Sequence, residues 1–259
     1  MIDPTRIDDP LYWIVISLLF WAIVVVRYFL IAGLFHRYFH GKQTGRWEAH
    51  KLSARPYQKG QLRKEIYWSV VTSAIFAVIG VGTAWLWAKG YTQVYLELSW
   101  WDILWVPLSL AAAMLLHETY YYWVHRWMHH PAVFKYVHKV HHESLSTSSW
   151  TAFSFHPSEG LIEALIMPLI LVLLPMHPIT IVIHLLIMTL SSVINHLDIE
   201  LYPKWFARNK LTIYLIGATH HSLHHRQFQK NYGLYFTFWD RWMGTESKDF
   251  EPLFEQKAR

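Results

Sequence analysis

Residues 66 to 88, IYWSVVTSAIFAVIGVGTAWLWA, run for 23 positions without a charged side chain. A helix rises 1.5 Å per residue, so this stretch is long enough to cross a hydrocarbon core of ~30 Å. Working outward from it, Leu11 to Phe35 reads as a first spanning helix. Its one charge, Arg27, is expected to snorkel toward the nearer end. Ile103 to Trp123 is a third candidate span. Ala164 to Ile194 is a fourth apolar region without Asp, Glu, Lys or Arg, interrupted by Pro168, Pro175 and Pro178. Because proline breaks helices, this region reads as a helical hairpin. The residues before the first span hold Asp3, Asp8 and Asp9 against Arg6 and show no positive n-region, so no removable signal peptide is expected.

The 259-residue composition agrees with a membrane protein: 53% hydrophobic, with 15 Trp, 15 Tyr and 14 Phe, and only 16% charged. Soluble domains carry about 25% charged residues, which argues against a soluble enzyme or a disordered tail protein. Cysteine is absent, which excludes disulfides, thiolate-held clusters and a Cys nucleophile. The net charge of +5 comes from cations in the loops between apolar runs, with no nucleic-acid motif among them. No nucleic-acid partner is expected. Residues 36 to 65 hold Arg37, Lys42, Arg46, Lys51, Arg55, Lys59, Arg63 and Lys64, whereas 89 to 102 hold only Lys89. The positive-inside rule therefore puts the first loop in the cytoplasm. The third helix then returns the chain to that side, and the hairpin leaves and comes back. Residues 124 to 160 and 195 to 259 should share one membrane face. The expected architecture is one membrane domain, 1–259. Transmembrane helices would occupy 11–123, and a region from 124 to 259 would be interrupted by a membrane hairpin at 161–197. The fold class is all-α: an integral membrane helical bundle of about four spanning elements, including the hairpin, under a cytoplasmic helical cap.

Histidine is the compositional outlier, with 18 copies. His125 and His129 stand at i and i+4, with His130 next. His138, His141 and His142 stand at i, i+3 and i+4, and so do His221, His224 and His225, with His220 before them. Each set shares a helix face. His156 and His196 flank the hairpin. Three such sets on one membrane face point to metal ligation, since unliganded clustered imidazoles would be desolvated without compensation. A pH-sensing or headgroup-binding cluster is the bland alternative. Other metal patterns fail on spacing. His117-Glu118-Thr119-Tyr120-Tyr121 lacks the second histidine of a zinc protease, and no Glu has a His three residues later, as soluble di-iron bundles require. Eight box histidines plus His196 are enough for two metals at about four or five ligands each.

These boxes, together with Phe155-His156-Pro157, Asn231-Tyr232-Gly233, Trp239-Asp240-Arg241 and Gly244-Thr245, resemble the sterol desaturase/fatty acid hydroxylase superfamily. Their order looks closest to the sterol C5-desaturase branch. The resemblance covers roughly residues 117 to 246. It implies a membrane-bound oxidoreductase with two non-haem iron ions that uses O2 to desaturate or hydroxylate a sterol-like or fatty-acyl lipid. The implied ligands are His125, His129, His138, His141, His142, His221, His224 and His225, with His196 matching an additional histidine of some members. Where the hydroxylase branch has a second histidine four residues later, this chain has Glu200. Electrons would come from a separate donor, a cytochrome b5-like protein or a ferredoxin with its reductase, because the chain has no G-x-G-x-x-G fingerprint and no haem-attachment motif. The basic cytoplasmic face would suit an acidic partner. Bacterial inner membrane and endoplasmic reticulum are both open as locations.

Other polar residues have expectations of their own. Glu118 is expected to pair with a histidine or with Arg126. Glu118, Glu143, Asp198 and Asp240 are candidates for orienting a ligand imidazole. His117 reads as a pore-facing polar group, His184 as a buried hydrogen-bonded histidine, and His36, His40 and His50 as interfacial. His156 is a ligand or a substrate-side residue. The competing functional class is a histidine-rich membrane metal transporter or sensor. It would need ionisable groups along the mid-membrane path, where this chain offers mainly Arg27, Glu163 and His184.

Overall fold

The computed structural model describes residue 6, residues 9–41 and residues 44–259. Asp3, Asp8 and Lys42 of the charge pattern lie outside the described residues. The architecture is helical, and the described residues form isolated β-bridges but no named strand. Helix α1 is Pro10–Phe35, prolonged by a π-helical turn His36–His40; α2 is Gln61–Ala88 and α3 is Asp102–Met128. The short helices α4, Pro131–Val137, and α5, Lys139–His142, follow. Then come α6, Pro157–Ala164, α7, Ile166–Leu173, and α8, Pro178–Asn195. The tail carries α9, Ala218–Gln227, α10, Phe238–Trp242, and α11, Phe250–Lys257.

Among the described residues, four helices are long and apolar enough to cross a membrane: α1 with its π turn, α2, α3 and α8. Their packing is inverted relative to a soluble bundle. Leu18, Ile23, Leu30 and Leu34 of α1 point outward, while Ser69, Thr72 and Ser73 of α2 are buried. Lipid is as apolar as leucine, so small and weakly polar side chains make the helix contacts. Gly160 of α6 lies so close to α2 that a Cβ there would sit 3.0 Å from Thr72 Cγ2. The chain is an integral membrane protein.

The hairpin is asymmetric. Its returning arm, α8, has 18 residues, whereas its rising arm is the pair α6 and α7, broken at Leu165. Pro168 falls in the first turn of α7, where a missing N–H costs no helical bond. Three His-Pro pairs start helices. In each, proline takes the first helical position and the preceding ring accepts an amide: Ala132 N–H to His130 at 3.4 Å, Ser158 N–H to His156 at 3.3 Å, and Ile179 N–H to His177 at 3.2 Å.

The loop between α5 and α6 is anchored in the bundle. Glu65 of α2, 1% exposed, accepts hydrogen bonds from Gln61, Ser144, Ser148 and Thr151. This fixes the entrance of the hairpin beneath α5. Arg27 differs from the sequence expectation. It lines an interior cavity, and its Nε is buried without a hydrogen-bond partner.

Candidate metal centre

The last turn of α3 carries His125, and His129 caps its C-terminus. His138 caps α5, which carries His141 and His142; His196 caps the C-terminus of α8; and α9 carries His221, His224 and His225. Their ligand atoms form two groups. His125, His129, His138, His142 and His224 make one, and His141, His196, His221 and His225 the other, with the atoms within 4.8 Å of one another in each. The His-x-x-His-His boxes are divided by helix geometry. In each box the i and i+4 rings share a face and enter one group, while the i+3 ring turns to the other. His138 and His142 thus leave His141 to the second group, and His221 and His225 leave His224 to the first.

The Nε2 atoms point inward. His125 and His138 face each other at 3.0 Å, His142 and His224 at 3.0 Å, and His129 and His224 at 3.1 Å. In the second group His141 faces His196 at 3.1 Å, His196 faces His221 at 2.8 Å, and His221 faces His225 at 3.1 Å. Five of the nine outer nitrogens are hydrogen-bonded, while those of His142, His221 and His225 are buried without a partner. The Nδ1–H of His125 donates to Tyr232 O at 2.8 Å, that of His224 to Lys230 O at 2.7 Å, that of His196 to Ser192 O at 2.7 Å and that of His141 to Ser154 O at 3.4 Å. His138 Nδ1 shares a hydrogen bond with the Glu159 carboxyl at 2.6 Å.

A carbonyl oxygen only accepts, so these rings carry their proton on Nδ1 and a lone pair on Nε2. His125 and His224 therefore turn Nε2 lone pairs into the first group, and the pair His141/His196 sets lone pair against lone pair at 3.1 Å. That contact is repulsive unless a cation lies between. Two nitrogens bound at about 2.1 Å to one ion are separated by about 3 Å, so the donor set fits a metal ion in each group.

Burial, reinforced by neighbouring imidazoles, pushes the cap histidines down. His129 falls to about 2, His196 falls to about 4 through burial, and His138, His141, His142, His221, His224 and His225 lie well below their ordinary value. The rings are neutral ligands at physiological pH. The unfolded chain takes up protons near pH 6.5 and the folded chain only at lower pH, so acid favours unfolding. Protein stripped of metal by chelator is expected to lose thermal stability as the pH falls from about 6.5 through about 4, with little change above about 7. Melting in detergent across that range measures it, and a flat profile below about 6 would contradict buried neutral rings.

The other candidates fall outside both groups. His156 and His130 are helix caps. Glu200 accepts the Thr219 amide and hydroxyl at 3.1 and 2.6 Å and holds the start of α9. His117 bonds with His184 at 3.2 Å and Tyr235 at 3.1 Å. His220 stacks on Phe250, and Glu143 pairs with Lys64. His40 bonds to Leu197 O and His50 to Lys257 O. Asp198 lies against Ser222 at 3.5 Å. Glu118 pairs with neither a histidine nor Arg126. Its carboxylate accepts the amides of Leu234, Tyr235 and Phe236 at 2.6 to 3.2 Å. Asp240 accepts those of Tyr232 and Gly233, both at 2.9 Å. Five successive amides are thus clamped, which aims the Tyr232 carbonyl at His125. Gly233 is needed there because a Cβ would lie 2.8 Å from Glu118 Oε1.

Sequence reasoning missed Glu159. It follows Phe155-His156-Pro157 closely, but nothing in local spacing shows that α6 delivers it to His138. It also missed the cover over the first group. Phe228, in a rarely populated conformation at φ 63° and ψ −37°, stacks on His142 at 4.7 Å, with Phe134 beside it. Strain of this kind persists only where packing enforces it.

A cavity of about 680 Å³ adjoins the groups from the membrane side. Its lining is mostly apolar and comes chiefly from α1, α2, α3, α6, α7 and α8. Phe155 and Tyr121 connect it to the histidines, with ring centres 5.0 Å from His141 and 5.0 Å from His125.

The chain is 29% identical over 258 residues to the Delta(7)-sterol 5(6)-desaturase ERG3A of Gibberella zeae, covering 97% of this chain and 68% of that protein. It is 30% identical over 206 residues to the Delta(7)-sterol 5(6)-desaturase erg3C of Aspergillus fumigatus, covering 71% and 62%. It is 28% identical over 196 residues to human lathosterol oxidase, covering 74% and 64%. The chain therefore spans about two thirds of the length of these relatives. No solved structure matches it significantly. These relatives bear out the resemblance to the sterol C5-desaturase branch. The family model for fatty acid hydroxylase matches residues 110–245, more than half of the chain and all nine of the converging histidines, and the chain belongs to that family.

Proposed function

We propose that this chain is an O2-dependent lipid oxidoreductase that holds two non-haem iron ions and desaturates or hydroxylates a sterol-like or fatty-acyl substrate. The carrying observation is the convergence of nine inward-turned imidazoles in two groups beside an apolar cavity. One ion would be held by His125, His129, His138, His142 and His224, the other by His141, His196, His221 and His225. Bound iron would supply O2 activation and hydrogen abstraction from an unactivated C–H bond. The names of the relatives, sterol desaturase and lathosterol oxidase, favour a sterol and desaturation.

The chain's own residues do the rest. The cavity accepts the apolar body of the lipid and leads it to Tyr121 and Phe155 beside the rings. Phe134 and Phe228 cover the first group and keep water from it. Backbone carbonyls hold His125, His141, His196 and His224 in the tautomer that presents Nε2, and Glu159 would hold His138. A second groove, lined by Lys59, Lys64, Lys139, Glu143 and Phe228, leads to His142. It suits docking of an acidic electron donor, cytochrome b5-like or ferredoxin with its reductase. The charge asymmetry of the loops supports a cytoplasmic location for this face. A metal transporter would need polar groups along a transmembrane path. Below its upper end the cavity is apolar, with Trp87, Val94, Leu96 and Leu171 lining it.

The test is lipid mass spectrometry of host membranes with and without the chain, under air and under strict anaerobiosis. The expected product lacks two hydrogens or gains one oxygen, and forms only in air with iron bound. Anaerobic turnover, or metal flux into liposomes with no O2 uptake, would sink the proposal.

A further inference from the structure

Deeper in the membrane than the two groups, the cavity wall carries an imidazole that belongs to neither. His117 lines the cavity and is 4% exposed. The step along α3 from His117 to His125 is about 12 Å. Tyr121 stands between them, with ring centres 6.4 Å from His117 and 5.0 Å from His125. His184 and Tyr235 are buried behind His117 and do not line the cavity. His117 Nδ1 meets His184 Nε2 at 3.2 Å and the Tyr235 hydroxyl at 3.1 Å. Among the described residues neither of those side chains has another hydrogen-bond partner, and His184 Nδ1 is buried without one.

These contacts place the protons. With its hydrogen on Nδ1, His117 would leave the Tyr235 O–H and a His184 N–H as buried donors without an acceptor. Orphaned donors are the rarer and costlier kind. With the hydrogen on Nε2, the Tyr235 O–H and His184 Nε2–H both donate to the Nδ1 lone pair, and only an acceptor, His184 Nδ1, is left over. His117 therefore turns Nδ1 to the protein and an Nε2–H to the cavity, where it has no partner among the described residues. Thr83 and Ser192 also line the cavity, but their hydroxyls are spent on Ile79 O and Ala152 O.

Resting on the lipid-oxidation reading, we infer that His117 is a specificity residue whose Nε2–H binds a neutral acceptor oxygen on the body of the lipid, about 12 Å from the carbon presented to the histidines. A lone N–H donor in an apolar wall rejects a plain hydrocarbon at that depth, because filling the cavity with one leaves the donor unpaired. Ketone, ester, ether and hydroxyl oxygens all accept from it, whereas an ammonium or another N–H donor does not. The substrate class is a lipid oxygenated in its middle, away from the end that reacts.

The experiment measures binding by the metal-loaded full chain in lipid nanodiscs without O2, so it reads recognition even if no oxidation occurs. The straight-chain probes are heptadecan-9-one, whose carbonyl is equally far from both ends, heptadecan-2-one and heptadecane. The steroid probes are 5α-cholestan-22-one, with its carbonyl in the side chain, and 5α-cholestane. In at least one frame the mid-body ketone is expected to bind about tenfold more tightly than its hydrocarbon, and in the straight-chain frame also more tightly than the terminal ketone. The infrared carbonyl stretch of the bound ketone should fall below its value in alkane, as hydrogen bonding requires. His117→Phe should bring the preference to about twofold or less and return the stretch to its alkane value, a change that a merely structural residue would not produce. His117→Gln keeps an N–H donor and an acceptor for Tyr235, and should keep a measurable preference. The wild-type comparison of ketones needs no variant, so a phenylalanine variant that fails to insert leaves the test standing. Equal or undetectable binding of ketone and hydrocarbon in both frames, an undiminished preference in His117→Phe, or a stretch unmoved by that substitution would overturn the assignment. Failure of the oxidation reading shows instead in the membrane lipid products, independently of this result.

Discussion

Replacing His141 by alanine is expected to abolish product formation, by about a thousandfold or more, and to lower bound iron from about two ions per chain to about one. His141 is 1% exposed and its Nε2 faces His196 at 3.1 Å within the four-histidine group. Its loss leaves three imidazoles for that ion, while the five-histidine group keeps every ring. Membrane insertion should survive, because α5 lies outside the four long apolar helices. His130→Ala is the matched control. That ring caps α4 outside both groups, so its loss should cost about 1 kcal/mol of stability and leave iron and turnover near wild type. Metal analysis of the purified protein and lipid mass spectrometry read both variants. Full turnover or unchanged iron in His141→Ala would remove that residue from the site.

The division of iron loss follows from the doubled histidines, a feature only half legible in the sequence. The spacing i, i+3, i+4 shows that three rings sit near one another on a helix. It does not show that the neighbours His141 and His142 serve different groups, nor that His224 joins the first box while His221 and His225 join the second. That sorting depends on how α3, α5 and α9 pack, which is long-range. The four apolar spans were readable because lipid demands length and apolarity of each helix separately. The three His-Pro caps are a local signal as well, proline at the first helical position after a ring acceptor, but in the sequence Pro178 reads only as a helix break and His156 as a ligand or substrate-side residue. His156 followed that rule and is a cap rather than a ligand. Glu118 and Arg27 went the other way. A carboxylate inside a membrane seeks several donors at once, and the amides of 234 to 236 are more than a hundred residues distant in the chain. Snorkelling was the local rule for Arg27, and the cavity that overrides it exists only in the assembled bundle.

Glu159 is the residue on which local reading had least purchase, and its replacement has the second large expected effect. The carboxylate is fully buried and receives His138 Nδ1–H at 2.6 Å, while its other oxygen has no hydrogen-bond partner. It is the one acidic side chain bonded directly to the nine rings. Its negative charge raises the basicity of His138 and fixes the tautomer that presents Nε2 to the first group. In Glu159→Gln the amide oxygen still accepts from Nδ1–H, so geometry is kept and charge is lost. Metal affinity of the five-histidine group is expected to fall about tenfold, with turnover largely restored by excess iron. In Glu159→Leu nothing holds the tautomer, and the loss is expected to approach about a hundredfold. The metal-free protein should respond in the opposite sense. Glu159→Gln keeps the bond to His138 and removes a buried charge whose other oxygen has no partner, so it should raise the melting temperature of the chelator-treated chain while iron retention falls. A purely structural residue would lower both. Chelator competition and melting on the same preparations distinguish these cases. A leucine variant that holds iron against chelator as firmly as the wild type would show that Glu159 does not govern His138.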